Sequence, residues 1–460
     1  MNIIFIGVSF YIVIQFVFGM LISHKSDNEA DFILAGRKIG PLLGTLTVFA
    51  TWFGAESVIG AAGNIYSNGL SGSSSDPFGY GLCLIVLGAV FAIPLWRRQY
   101  LTFGDFFRER FSSKVEKLFV LLVVPSSLFW AAAQVRAFGQ IVSAITQIDV
   151  ELAIAGAACL ITIYTMVGGM RATAITDLIQ GVVLILGLII LLVIIVNAAG
   201  GWSVSWQQIP AERIWFNDTD TSILQIIEKW AVPICGATLA AESIARILAM
   251  RSENTARMAA VGGGLLYIVI GLVPFYLGLI GPELISDLDD SEQIIPLLAE
   301  QYLSTFLYVI FCGALVSAIL STVDSALLAA AALISHNVIV PLKKNANDKD
   351  KIKLARASVV GLGLLAYLFA TTASGVHELI WTAVSFGTAG IFVVGTMGLF
   401  TRIGGEITAF ITLIIGAGVW AIGEFVVGWE TPFIYALSAA FLSYLLTAKF
   451  EKTEYIRLVY

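Results

Sequence analysis

Three stretches of the chain carry oxygen-bearing side chains inside apolar runs, where a helix that only packs would need none. The first, Thr51-Trp52-Phe53-Gly54-Ala55-Glu56-Ser57-Val58-Ile59-Gly60-Ala61-Ala62-Gly63, surrounds a carboxylate with glycines. Glycines around a polar centre suggest a discontinuous helix, and the carbonyls freed at such a break can coordinate a cation. Close packing through small residues would use the same glycines, but Glu56 favours a functional role. The second stretch, Pro233 to Ser243, repeats the arrangement with Gly236 and Ala240 beside Glu242. The third is Ala318-Ile319-Leu320-Ser321-Thr322-Val323-Asp324-Ser325. Helical spacing puts Ala318, Ser321 and Ser325 on one face with Asp324 beside it. Hydroxyls and a carboxylate suit a hard monovalent cation that wants oxygen ligands. Asp177 supplies a further acid. The bland alternative has these hydroxyls bonding back to their own helix while Asp324 caps a neighbour.

Other side chains bear on a solute. Arg136 is read as the only base deep in an apolar run, so it must meet an acid or a water-filled cavity. Glu56 and Glu242 are candidate partners, and a contact to a substrate carboxylate is equally open. Trp52 and Trp130 lie in mid-run, and Tyr80 opens another run. Aromatic faces attract cations and cage quaternary ammonium groups, although large rings also simply pack. The four cysteines, Cys83, Cys159, Cys235 and Cys312, all sit in apolar runs, with no metal-ligand spacing. They read as small buried hydrophobes. His24, His336 and His377 are too far apart in sequence to suggest a metal cluster.

The elements that must hold these groups follow from composition. Of 460 residues, 58% are hydrophobic and 13% charged, about half the ~25% charge of soluble domains. That excludes a soluble enzyme, a nucleic-acid binder and a disordered chain, and fits a polytopic α-helical membrane protein. Apolar runs fall at 2–22, 40–67, 78–96, 117–146, 150–170, 174–199, 224–249, 257–281, 302–335, 354–373, 377–400, 404–428 and 431–448. The first lacks the basic start and small-residue cleavage site of a signal peptide. Threading the runs from an outside N-terminus puts all but Arg136, Arg213 and Lys229 of the 26 Lys and Arg in cytoplasmic segments, with the C-terminus inside. An outer loop then carries Glu283, Asp287, Asp289, Asp290 and Glu292, whose spacing matches no calcium loop. Asn217-Asp218-Thr219 matches a glycosylation sequon by pattern.

Setting the N-terminal run aside, the two interrupted runs are the first and sixth. Interruptions five apart are expected of a five-plus-five inverted repeat of the leucine-transporter type, one of the transporter architectures this rule was drawn from. No ATP-binding loop is present, so the chain is not a primary pump by itself. A membrane enzyme would need clustered acid, base or metal groups. A solute sensor would need an output domain, and a passive channel a filter motif.

The motifs together resemble the sodium:solute symporter family over nearly the whole chain. Asp31-Phe32-Ile33-Leu34-Ala35-Gly36-Arg37 is similar to the family signature before its first core helix. Leu320 to Ser325 resembles its eighth-helix sodium motif. Val167-Gly168-Gly169-Met170-Arg171 with Thr176-Asp177 resembles its turn between the fourth and fifth helices. The resemblance implies an all-α fold of about 13 transmembrane helices. Residues 1–39 would form an extra helix and cytoplasmic loop, 40–400 a ten-helix inverted-repeat core, and 401–460 two further helices and a tail. It also implies a plasma-membrane symporter that uses the sodium gradient to import a small polar organic solute by alternating access, with no cofactor and no nucleic-acid partner. The carbonyls of Ala55, Val58 and Ala318 and the hydroxyls of Ser321 and Thr322 would hold sodium. Asp177, Ser321, Asp324 and Ser325 match a second sodium position, although Val323 between them offers no oxygen side chain.

Several segments are most similar to the high-affinity choline-transporting branch of that family: Ala50-Thr51-Trp52, Phe78-Gly79-Tyr80, Phe129 to Ala133 and Gly313 to Ala318. This implies that Trp52, Tyr80 and Trp130 line the substrate site. Two departures stand against choline itself. The further cage tryptophan of that branch falls near Ala240 here, and Glu56 and Glu242 are additional acids. The substrate expectation is therefore a quaternary or other amine. The alternatives are a zwitterion such as an amino acid of the proline kind, coupled to sodium or a proton, and a membrane sensor that binds solute without moving it.

Overall fold

The computed structural model describes residues 6–451 apart from 12, 15, 16, 18–27, 73, 147, 216–220, 289, 344 and 374. Most of the first apolar run, the sequon, His24, Asp289 and the end of the C-terminal tail lie outside the described residues. Among those described, the chain is helical, and one isolated backbone bridge, Ile39 to Met250, stands apart from the helices. In hydrocarbon every backbone N–H and C=O must be satisfied within the protein, and helices do this segment by segment.

The elements that matter here are α1 (Pro41–Trp52), α2 (Ala61–Asn68), α3 (Tyr80–Val86), α4 (Ser113–Thr146), α5 (Val150–Ala198), α6 (Ile223–Ala231), α7 (Ala241–Ala249), α8 (Glu253–Leu284), α9 (Thr305–Ala332), α10 (Asp348–Thr372), α11 (Thr388–Phe400), α12 (Glu406–Ile422) and α13 (Pro432–Ala448). Among the described residues, eight helices are long and apolar enough to cross a membrane, or ten if each of two bent pairs is one crossing. The 49 residues of α5 would extend about 74 Å, more than twice a ~30 Å hydrocarbon layer. Gly169, at φ 58°, breaks it into the two runs expected from sequence. No side chain adopts that backbone cheaply.

Burial sorts the helices. Leu186 and Val193 of α5, Leu364 of α10 and Ile407 of α12 are exposed apolar side chains that suit lipid. By contrast α9 is buried at every position from Phe311 to Ala332 except Leu320. A helix sealed on all sides can keep polar groups only where they find partners inside the bundle. The Ser321–Ser325 motif lies on this helix.

On the side with the basic segments, a polar cluster ties the helices together. His336 bonds Glu29 through Nδ1 (2.9 Å) and Asp105 through Nε2 (3.2 Å). Asn337 donates to Glu116 at 2.7 Å, and Arg108 to Asp105 at 2.7 Å. His336 therefore works as a link between carboxylates of segments far apart in the chain.

Candidate functional site

Two broken helices frame the centre of the bundle. The helical segments on either side of residues 53–55 meet at 63°, and those on either side of residues 237–240 at 43°. At the first break the chain turns against two partners. The amide of Ala55 donates to Gln134 Oε1 of α4 at 3.1 Å. A Cβ on Gly54 would come within 2.8 Å of Thr322 Oγ1 and 2.9 Å of Gln134 Oε1, so only glycine lets α9 approach so closely. At the second break a Cβ on Gly236 would come 2.2 Å from the Val384 carbonyl. Ala240 follows as the N-cap of α7 without a capping side chain. Gly236 and Ala240 line one small cavity with Ser127 of α4.

Thr322 of α9 bridges the first break. Its hydroxyl lies 3.1 Å from the Ala318 carbonyl and 3.3 Å from the Ala50 carbonyl at the end of α1. Ala55, Val58 and Ala318 are buried. The five residues that the motif resemblance implied for sodium thus come from the break after α1, the helical segment Glu56–Gly60 that follows it, and α9.

Beside them lies a second polar cluster. Asp177 of α5 accepts hydrogen bonds from Thr47 and Ser321. Arg246 of α7 reaches Asp177 Oδ2 at 3.4 Å and also donates to Ser325. Asp324 Oδ2 accepts from Thr173 at 2.8 Å, and its Oδ1 has no partner. Arg246 is fully buried. Arg136 is therefore not, as the apolar runs suggest, the only deep base, and Arg246 is not a cytoplasmic charge. The available signal was its place four residues after Glu242, one helical turn on.

Arg136 itself makes a different contact from those expected. It donates to the Ala370 carbonyl of α10 at 2.8 Å and forms no ion pair with Glu56 or Glu242. Glu242 instead accepts from Ser127 at 3.4 Å.

The aromatic residues do come together. Ring centroids lie 5.0 Å apart for Trp52 and Trp130, 5.4 Å for Trp52 and Tyr80, and 6.3 Å for Tyr80 and Trp130. Ser243 of α7 accepts from Trp52 Nε1, so both broken helices meet at this triad. The Tyr80 hydroxyl donates to Glu56 Oε1 at 3.4 Å. Beyond Glu56 a cavity of about 290 Å³ opens, walled by Glu56, Asn64, Asp76 and Glu292. A neighbouring cavity of about 390 Å³ shares Gly60, Glu292 and Val376 and adds Asp290 and Glu300. Among the described residues neither wall contains Lys or Arg. Burial, and then the neighbouring Asp290, push the Glu292 carboxyl above its ordinary range. Sequence reasoning missed Asp76, because it stands just before an apolar run and reads as a loop charge.

A family model described as the sodium:solute symporter family matches residues 32–416. The chain belongs to the sodium:solute symporter family. Within it, the chain is 26% identical over 389 residues to high-affinity choline transporter 1 of Drosophila melanogaster, covering 78% of this chain and 60% of that one. The human high-affinity choline transporter 1 is 25% identical, covering 78% of this chain and 64% of its own. The match thus spans less than two thirds of these two relatives' length. The sodium/pantothenate symporter of Haemophilus influenzae is 26% identical, with 88% of each chain covered. Among solved structures, a sodium-coupled sialic acid symporter in a substrate-bound outward-open state superposes with a TM-score of 0.86 over the whole of both chains at 15% identity. A nucleobase-cation-symport-1 family transporter follows at 0.65 and 16% identity, covering 93% of this chain and 95% of its own. The fold is therefore that of sodium-coupled symporters with broken helices, as the interrupted runs implied.

Proposed function

We propose that this protein is a sodium-coupled symporter that imports a small organic cation, an amine, by alternating access. The observation that carries the amine is the triad of Trp52, Tyr80 and Trp130 closed by Glu56 at the mouth of a cavity without bases. A desolvated cation over aromatic faces gains ~2 kcal/mol or more, and a carboxylate at the rim adds charge attraction. Family membership and the choline- and pantothenate-transporting relatives support sodium-driven import. In this reading Ala55, Val58, Ala318, Ser321 and Thr322 hold sodium, which is co-transported with the solute. Sodium bound there ties the unwound end of α1 to α9, so it fixes the side of the triad contributed by Trp52. Asp177, Asp324 and Ser325 with Ser321 form the polar floor beside that ion, and Arg246 supplies its standing positive charge. The ten-helix core from 40 to 400 carries out the conformational cycle.

A zwitterionic amino acid would need a partner for its carboxylate, supplied by a base or by the N-terminus of a broken helix. Arg136 is engaged with a carbonyl of α10 and Arg246 with Asp177 and Ser325, which supports the cation over the zwitterion. The test is a thermal-shift screen of purified protein in detergent against amines, amino acids and sugars, in sodium or in potassium. Stabilisation by amines that is larger in sodium is expected, because ligand binding to the folded state raises stability. Stabilisation by amino acids alone, or with no preference for sodium, would reject this reading.

A further inference from the structure

We propose that Glu56 and Asp76 form a second cation-recognition point above the aromatic triad, so that the solute is a diamine with two cationic nitrogens joined by a short chain. This inference rests on the amine reading above and names the substrate class more closely.

The geometry begins at Asp76, which is 4% exposed and walls the same cavity as Glu56. Its Oδ2 accepts from Tyr267 at 2.7 Å, and Tyr267 in turn meets Ser57 at 2.5 Å. That pair fixes the carboxylate from behind. Its Oδ1 is buried with no partner. Glu56 repeats the pattern: Oε1 takes the Tyr80 hydroxyl, and Oε2 is buried and unpartnered. A buried carboxylate oxygen without a partner is costly, so two in one cavity mark a place made for donors that arrive with the ligand.

Charge count decides between one cation and two. A monoamine seated on the triad reaches Glu56 and leaves Asp76 bare. No Lys or Arg stands on either cavity wall to balance it. A divalent metal ion is a poor second charge here. Among the described residues no three acidic, His or Cys side chains stand close enough together to hold one. Glu56, Asp76 and Glu292 instead all wall one cavity, where an extended ligand can meet more than one of them. A second ammonium group brings up to three N–H donors, and the unpartnered Asp76 Oδ1 is an acceptor for one of them.

The experiment compares 1,4-diaminobutane with butylamine, and the C3 to C6 diamines with their matched monoamines, by thermal-shift titration and by competition for uptake in sodium. The protein and its Asp76→Asn variant are used. A diamine should bind about tenfold or more tightly than the monoamine of equal length, the increment expected of one buried charge-assisted contact. In Asp76→Asn the two should converge to within about twofold. Equal affinities in the wild-type protein would overturn the second recognition point while leaving the amine reading in place. No binding by any amine would remove both. A diamine preference that survives in Asp76→Asn would overturn the assignment to Asp76. The wild-type ratio decides the matter by itself should that variant fail to fold.

Discussion

Arg246 and Asp177 face each other as a fully buried ion pair, with Nη2 to Oδ2 at 3.4 Å, between two segments of the bundle that are 69 residues apart in the chain. The same guanidinium reaches Ser325, and the same carboxylate takes Ser321 and Thr47. The pair therefore joins α7, the helix after the second break, to α5, and through Ser325 and Ser321 ties both to α9, which carries the cation motif.

Breaking this pair from one side should be far worse than removing it whole. Arg246→Met leaves Asp177 as an uncompensated buried charge, at a cost of ~3–5 kcal/mol. Adding Asp177→Asn removes that charge and should recover part of the loss. Thermal unfolding in detergent of the two single variants and the double variant reads this directly. A double variant less stable than either single would show that the pair does not act as a unit.

The sodium reading places Ser321 and Thr322 at the ion. Ser321→Ala and Thr322→Ala should each raise the sodium concentration needed for half-maximal uptake, on the order of tenfold for ~1.4 kcal/mol of lost coordination. The check is the sodium activation curve at fixed solute. Unchanged activation in both variants would remove this site from the argument.

Trp130 lies against Trp52 and Tyr80, and its ring nitrogen has no partner. Trp130→Ala should weaken amine binding by ~30-fold, corresponding to ~2 kcal/mol of desolvated cation–aromatic attraction. Trp130→Phe should lose less, because it keeps a π face. Isothermal binding measurements on both variants decide it; equal losses for Ala and Phe would mean that the ring only fills space.

Asp105 predicts a pH response. Burial alone would raise its carboxyl, but His336, the Thr102 amide and Arg108 outweigh that and hold it below the ordinary carboxylate range. A depressed folded-state value adds stability that is complete above the unfolded value of ~3.9 and is lost as pH falls through the folded value below it. Asp105→Asn should therefore lower stability at pH 7 and flatten the acid limb of the stability curve. Parallel acid limbs for wild type and variant would rule out this contribution.

How much of this was legible in the sequence can be argued residue by residue. Apolar run length follows from the thickness of hydrocarbon, so a polytopic helical bundle with two interrupted crossings was legible without a structure. The breaks at Gly54 and Gly236 were visible because a glycine beside a mid-span carboxylate is costly in lipid unless it serves something. Ala318, Ser321 and Ser325 stood out by helical spacing, with Asp324 beside them, since residues three and four apart share a face whatever surrounds them; Thr322 entered only through the family resemblance.

Pairing across helices was not visible. Arg136 could have met Glu56 or Glu242 by chemistry, and only the packing of α4 on α10 gave it the Ala370 carbonyl instead. Arg246 sits near the end of its run, and a charge at a span end ordinarily reaches water. The bend before α7 turns it inward to Asp177. Asp76 looked like a loop charge until Tyr267, 191 residues away, was found holding it at the cavity wall. The sequence by itself determined which residues are polar inside a membrane, because that cost is local and one-dimensional. The tertiary structure decided which of them meet, because contact between helices depends on crossing geometry that no single run encodes.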